Sequence, residues 1–193
     1  MKYMFASDIH GSAYYCRKML KAYKEEGAKR LVLLGDLLYH GPRNDLPKEY
    51  APKEVIQMLN EKAREIYAVR GNCEAEVDQM VLNFPVLADY CILVIDGHTF
   101  YATHGHVYNK ENLPPMQDGD ILIHGHTHVL KAKKMDGYYL LNPGSVSIPK
   151  KDNPPTYAVL ENSVFAIKDF EGRIIKSIVL DEAIGMYKKL PAK

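Results

Sequence analysis

The sequence predicts a single α/β domain, on three observations. Apolar runs at Lys2–Ala6, Leu31–Leu34 and Ile66–Val69 alternate with stretches of helical period, the signature of a parallel sheet. From Tyr90 onward, short apolar runs are separated by Asp-Gly, Glu-Asn and Glu-Gly turns, which points to antiparallel strands. No linker, internal repeat or low-complexity segment interrupts the 193 residues, close to one domain at ~150 residues per domain. The domain is expected to span 1–193, with a core of about 1–180 and a frayed tail from Lys188.

Each element has a local reason. Lys2–Ala6 is a short apolar run ending in a polar turn, hence a buried first strand. Ser12 can cap the helix that follows, Gly27 can end it, and Tyr15, Met19, Leu20 and Tyr23 mark one face. Leu31–Leu34 has no polar interruption, as expected of a strand covered on both faces, and Gly35-Asp36 closes it. Gly41-Pro42, Pro47 and Pro52 make the next stretch mostly loop. Pro52 fits the first position of a second helix whose buried face is Val55, Ile56, Leu59 and Ala63. Ile66–Val69 is the third strand, closed by Gly71-Asn72. Runs 90–95 and 99–103 flank Asp96-Gly97 as a hairpin, with His98 expected to be exposed. Ile121–Ile123, two runs around Asp136-Gly137, and runs 156–160, 164–168 and 174–180 supply the remaining strands.

Composition excludes several classes. A net charge of +1 leaves no basic field for non-specific nucleic-acid binding. No apolar run approaches the ~18–20 residues of a membrane span, and Asp8 and His10 interrupt the N-terminus before a signal-peptide core could form. Cys16, Cys73 and Cys91 are odd in number and widely spaced, which is neither a disulfide framework nor a metal knuckle. A reducing, cytoplasmic setting is the expectation. Ser145 and Ser147 do not form a Gly-x-Ser-x-Gly elbow, and no phosphate-binding glycine loop is present.

The histidines are unevenly spread. Six of the eight fall in three short stretches: His10, His104 with His106, and His124 with His126 and His128. Placed on the predicted elements, Asp8, His10, Asp36, Asn72, His104, His126 and His128 each lie just past the carboxyl end of a strand, where open α/β sheets bind ligands. Imidazole, carboxylate and amide oxygen suit Zn, Mn and Fe. Seven donors are too many for one tetrahedral ion and suit two ions sharing a carboxylate. Asp36, the lone donor at the middle strand end, is the natural bridge. Two ions ~3.5–4 Å apart form the clamp used for in-line phosphoryl displacement, polarising phosphate oxygens and giving hydroxide from a shared water near neutral pH.

The motifs DIHG at Asp8, GD at Gly35, GNCE at Gly71, THGH at Thr103 and GHTH at Gly125 resemble those of the calcineurin-like metallophosphoesterases. HGPRN at His40, VRGNC at Val69, EVDQM at Glu76 and NPGSVSIPK at Asn142 are similar to the small bacterial YfcE-like phosphodiesterases within that family. The resemblance implies a four-layer αββα sandwich of two mixed sheets flanked by helices, with a dinuclear site at one end. It implies one ion on Asp8, His10, Asp36 and His128, and a second on Asp36, Asn72, His104 and His126. It also implies hydrolysis of a small phosphoester, most of all a diester, with Mn preferred and Zn, Fe or Ni as alternatives.

One position departs from the wider family. Many members carry His after Gly-Asn, where it can protonate the leaving group; here that residue is Cys73. A thiol of pKa ~8.5 matches alcohol leaving groups poorly, which leaves the acid open among Cys73, His106 and His40. His40, Arg43, Asn72 and His106 are the substrate-binding candidates. His124 reads as a core or supporting residue, and Lys150 with Lys151 as a solvated pair. The rival reading is a protein-interaction scaffold on the same fold, as in a retromer subunit; the complete donor set argues against it. A metal-storage role would predict tight metal without turnover. The paired tyrosines Tyr14-Tyr15 and Tyr138-Tyr139 leave a homo-oligomer open.

Overall fold

The structure is a computed structural model that describes residues 1–181. The tail predicted from Lys188 lies outside them. The first half alternates as expected: β1 (Tyr3–Ala6), α1 (Ala13–Glu26), β2 (Arg30–Leu33), α2 (Pro52–Asn60), β3 (Ile66–Ala68) and α3 (Glu76–Val81). The second half is β4 (Tyr90–Ile95), β5 (His98–Thr103), β6 (Ile121–Ile123), β7 (Lys131–Lys134), β8 (Tyr139–Asn142), β9 (Thr156–Glu161), β10 (Val164–Asp169) and β11 (Ile174–Val179). The strands form two mixed sheets. One has the order β11-β10-β9-β1-β2-β3 and the other β4-β5-β6-β8-β7. In the first, β1, β2 and β3 run parallel; in the second, β5, β6 and β8 do as well, which corrects the expectation of antiparallel strands from Tyr90 onward, since the long loops between these strands return the chain to the same edge.

Period-two burial sorts the apolar residues. Met4, Ala6, Leu31 and Leu33 face a core shared with α1 and α2. Phe5, Val32 and Leu34 point the other way, into a second core between the sheets, against Phe100, Ala102, Ile121 and Ile123. That double covering is why Leu31–Leu34 carries no polar residue. On the outer face of the second sheet, Tyr101, Leu122 and Leu140 are covered by Met116, Met135 and Tyr138. Among the described residues, turns and loop take the place there of the expected outer helix layer.

Local signals hold where their atoms are found. The Ser12 side chain accepts the Tyr15 N–H, and Gly27 ends α1 at φ 63°. The buried face of α1 is rotated from the expected one: Ala13, Cys16, Met19, Ala22 and Tyr23 are buried, with Tyr15 and Leu20 at its edges. Helix α3 has no counterpart in the sequence reading. Its six residues are too few for a periodic pattern, and none of them is buried. Its start is fixed by the Asp78 carboxylate accepting the Ala75 N–H at 2.8 Å. His98 corrects the expectation of exposure: it is buried, pairing opposite Ile95 with its ring toward Ser163.

Candidate metal centre

The seven predicted donors meet where the carboxyl ends of β1, β2 and β3 face those of β5 and β6. Asp8, His10, Asp36, His104 and His128 are buried, while His126 is half-buried and Asn72 is exposed at the rim. Asp8 Oδ1 lies 3.3 Å from His128 Nε2 and 3.7 Å from His10 Nε2. His104 Nε2 lies 3.2 Å from both Asn72 Oδ1 and His126 Nδ1. Asp36 Oδ2 stands between the two groups, 3.6 Å from His10 Nε2 and 3.4 Å from His104 Nε2. Asp36 is thus the carboxylate within reach of both groups.

Backbone carbonyls orient the imidazoles. Nδ1 of His10 faces the Tyr39 carbonyl at 2.8 Å, that of His104 the Leu34 carbonyl at 2.6 Å, and that of His128 the Ile148 carbonyl at 2.8 Å. With the proton held on Nδ1, each Nε2 lone pair points into the cluster, the usual way proteins orient histidine ligands. The backbone is strained to achieve this. Asp8, His10, Asp36, His126 and His128 all have φ between 50° and 64°, a region non-glycine residues visit rarely. Ser145 and Ser147 hold the first of these turns, both hydroxyls donating to the Asp8 carbonyl at 3.0 Å. Gly125 must be glycine, because a Cβ there would overlap Ser7 Oγ.

The charges are strongly coupled. Burial alone would raise the Asp8 and Asp36 pKa values, but the surrounding histidines hold both carboxylates below their usual range. Burial would lower the pKa of His104; the Asp36 hydrogen bond and the Asp8 charge outweigh it and raise it to about 9. Burial, then the His104 charge, lowers His126 to about 4. Asp8 Oδ1 is buried without a hydrogen-bond partner. A buried anionic oxygen left unpaired is costly unless a cation completes it. The donor set fits divalent ions: three mutually close groups are Asp8–His10–His128, His10–Asp36–Cys73 and Asp36–His104–His126.

The remaining candidates separate. A cavity of about 460 Å³ opens over the donors, lined also by Arg43, Asn44, Cys73, Thr127 and Lys150. Cys73 sits in it with its N–H donating to Asp36 Oδ1 at 2.9 Å, and burial and the Asp36 charge push its thiol well above the usual value. His40 does not line this cavity; its ring packs edge-on between Tyr39 and Tyr50. The His106 ring stands 5.4 Å from that of His104, on the wall of an adjoining cavity. His124 is buried, as the sequence suggested. Lys150 and Lys151 are both exposed, as the sequence suggested, and they border different cavities.

Glu74 is the site residue that sequence reasoning missed. It is buried, and its carboxylate accepts the N–H of Asp36 at 2.8 Å, Leu37 at 2.7 Å and Gly71 at 2.5 Å. Burial and the Asp36 charge raise its pKa to about 7. The only signal for it was its place at the end of the Gly71-Asn72-Cys73-Glu74 motif.

The chain is 48% identical to phosphodiesterase YfcE of Escherichia coli (strain K12) over 167 residues, 86% of this chain and 91% of that one. The structure of the E. coli phosphoesterase YfcE superposes with a TM-score of 0.92 at 45% identity, covering 94% of this chain and all of that one. Zinc-complexed Vps29 of Entamoeba histolytica is more distant, with a TM-score of 0.53 at 25% identity over 86% of this chain and 90% of that one. Residues 1–163 match the calcineurin-like phosphoesterase superfamily domain, and the chain belongs to that family.

Proposed function

We propose that this phosphoesterase is a phosphodiesterase working with two divalent ions, Mn before Zn, Fe or Ni. The observation that carries the reading is Asp36, set between two groups of donors beside the buried Asp8 Oδ1, whose neighbours are the Nε2 atoms of His10 and His128. The 48% identity to a named phosphodiesterase supports the diester over the monoester. When bound, the ions supply Lewis acidity toward phosphate oxygens and a nucleophile near neutral pH. Asp8, His10, Asp36 and His128 would hold one; Asp36, Asn72, His104 and His126 the other. Arg43 and Lys150, on the cavity wall, receive the anionic oxygens of the substrate. Neither neighbouring group is a ready acid. The Cys73 thiol is pushed up, and burial and then the His104 charge hold His106 below its ordinary value. Diesters with acidic leaving groups should therefore react fastest. Among the described residues no helix is long and apolar enough to cross a membrane, and the proposed substrate is a small phosphoester.

The test is hydrolysis of bis(p-nitrophenyl) phosphate by chelated protein, with and without Mn²⁺, beside Asp36→Ala and His126→Ala. Metal-dependent turnover, reduced at least about 100-fold in both variants, is the expected result. Bound metal with no turnover under Mn²⁺, Zn²⁺, Ni²⁺ or Fe²⁺ would favour the scaffold reading.

A further inference from the structure

The cavity beside the metal centre is a second chamber of the same cleft. Its volume is about 470 Å³, against about 460 Å³ for the chamber over the donors. Only His126 and Thr127 line both, so they form the ridge between them. Asn142 stiffens that ridge: its side-chain amide donates to the Gly125 carbonyl at 2.8 Å and lies 3.2 Å from Thr127 Oγ1. His106 stands on the far side, its ring 6.3 Å from that of His126, with a buried Nδ1 that has no partner.

A phosphodiester carries two ester arms, and a phosphate held over Asp36 leaves one arm to cross this ridge. The charges on the walls bear on what that arm carries. Lys110, Lys131 and Lys151 line the second chamber, with Glu111 as its sole carboxylate. Glu111 pairs with Lys110 at 2.9 Å. Lys131 and Lys151 have no ion-pair partner among the described residues. Two unneutralised cations in a half-enclosed space favour an anion there.

Resting on the phosphodiesterase reading, we infer that this chamber receives an ester arm bearing a second phosphate, held by Lys131 and Lys151. The preferred substrates are then diesters of phosphorylated alcohols, a nucleotide- or sugar-phosphate-like class. A volume of this order suits an arm of that size. Lys131 and Lys151 act in specificity, through binding of the arm, and not on the scissile bond.

Two probes differ by one phosphate: the p-nitrophenyl ester of thymidine 5′-phosphate, and the same ester with a 3′-phosphate. With Mn²⁺-loaded protein, the 3′-phosphorylated probe is expected to show kcat/KM about tenfold higher, mainly through KM. The ratio falls toward one in Lys131→Gln/Lys151→Gln and in high salt. It persists in Lys133→Gln, on the same strand but outside the chamber. Equal kcat/KM for the two probes in the unmodified protein, or a ratio unchanged in the double variant, overturns the inference while diester turnover stands. If no diester is turned over, the phosphodiesterase reading falls separately. Calorimetric affinity for thymidine 3′,5′-bisphosphate over thymidine 5′-phosphate, in both proteins, then decides the chamber.

Discussion

Glu74 contributes no donor to the cluster, yet it organises the two loops that present Asp36 and Asn72. Its carboxylate is the acceptor for three N–H groups, from Asp36, Leu37 and Gly71. Each buried N–H left unpaired costs about 1–3 kcal/mol. Glu74→Ala is therefore expected to destabilise the protein by about 3 kcal/mol or more and to weaken Mn²⁺ binding, read by urea unfolding and by metal titration. Glu74→Gln keeps one oxygen. With it in the place of Oε2, which takes the Asp36 and Gly71 bonds, the loss is smaller. Equal costs for the two variants would show that the retained oxygen holds none of these N–H groups. At this scale the clustering of the candidate donors was legible, because imidazoles and carboxylates at successive strand ends announce their chemistry. The supporting residues were not. Ser145 and Ser147, ruled out as nucleophiles, act through hydroxyls bonded to one carbonyl. A backbone turn at positive φ leaves no mark on the identity of the serines that brace it.

Helix α1 links the site to the rest of the first sheet at both of its ends. At its start, two residues beyond His10, Ser12 accepts the Tyr15 N–H and donates to the Lys48 carbonyl at 2.6 Å. This ties the helix to the loop that carries Arg43. Ser12→Ala is expected to cost about 1–2 kcal/mol in chemical denaturation, the upper range for a cap, since two bonds are lost. At its end, Glu26 is clamped by Lys168 at 2.6 Å and the Tyr157 hydroxyl at 3.0 Å. Burial alone would raise its pKa, but these bonds hold it below the ordinary carboxylate value. The folded pKa being depressed, the clamp stabilises above the ordinary Glu value of 4.5 and is lost as pH falls through the folded value. Glu26→Gln should therefore lower the urea midpoint at pH 7 and leave it little changed near pH 2; a constant loss across pH would refute the clamp. The caps of α1 were readable from Ser12 and Gly27. The clamp was not, because it joins residues 131 and 142 positions apart.

For the molecule as a whole, the first half was legible from strand and helix periods, and the strands of the second half from its turns, but not that β5, β6 and β8 run parallel. How the sheets meet was not, since Phe5 and Phe100, 6.0 Å apart across the seam, are coupled by no local pattern. The centre lies on that seam and joins the sheets, His104 from β5 facing the Leu34 carbonyl beyond β2. Bound ions should therefore stabilise the entire fold. Free metal at 100 times its dissociation constant adds about 2.7 kcal/mol per site, and about 1 kcal/mol moves Tm by 2–4 °C at this size. With two sites, chelation is thus expected to lower Tm by about 10–20 °C at pH 7. The gap should also depend on pH. In the metal-free protein His104 is raised from 6.5 to about 9 and Glu74 from 4.5 to about 7. The folded state then holds these protons more tightly than the unfolded one. Their stabilisation is complete below the unfolded values and is lost as pH rises through the folded ones. His126, held at about 4, contributes fully above its unfolded value and adds no slope from pH 7 to 9. Metal-free protein should accordingly lose stability across that window. Loaded protein should not, because its ions need His104 neutral and gain as protons leave. Calorimetric scans of both forms at pH 7, 8 and 9 should diverge with rising pH; parallel curves would mean that His104 is no ligand.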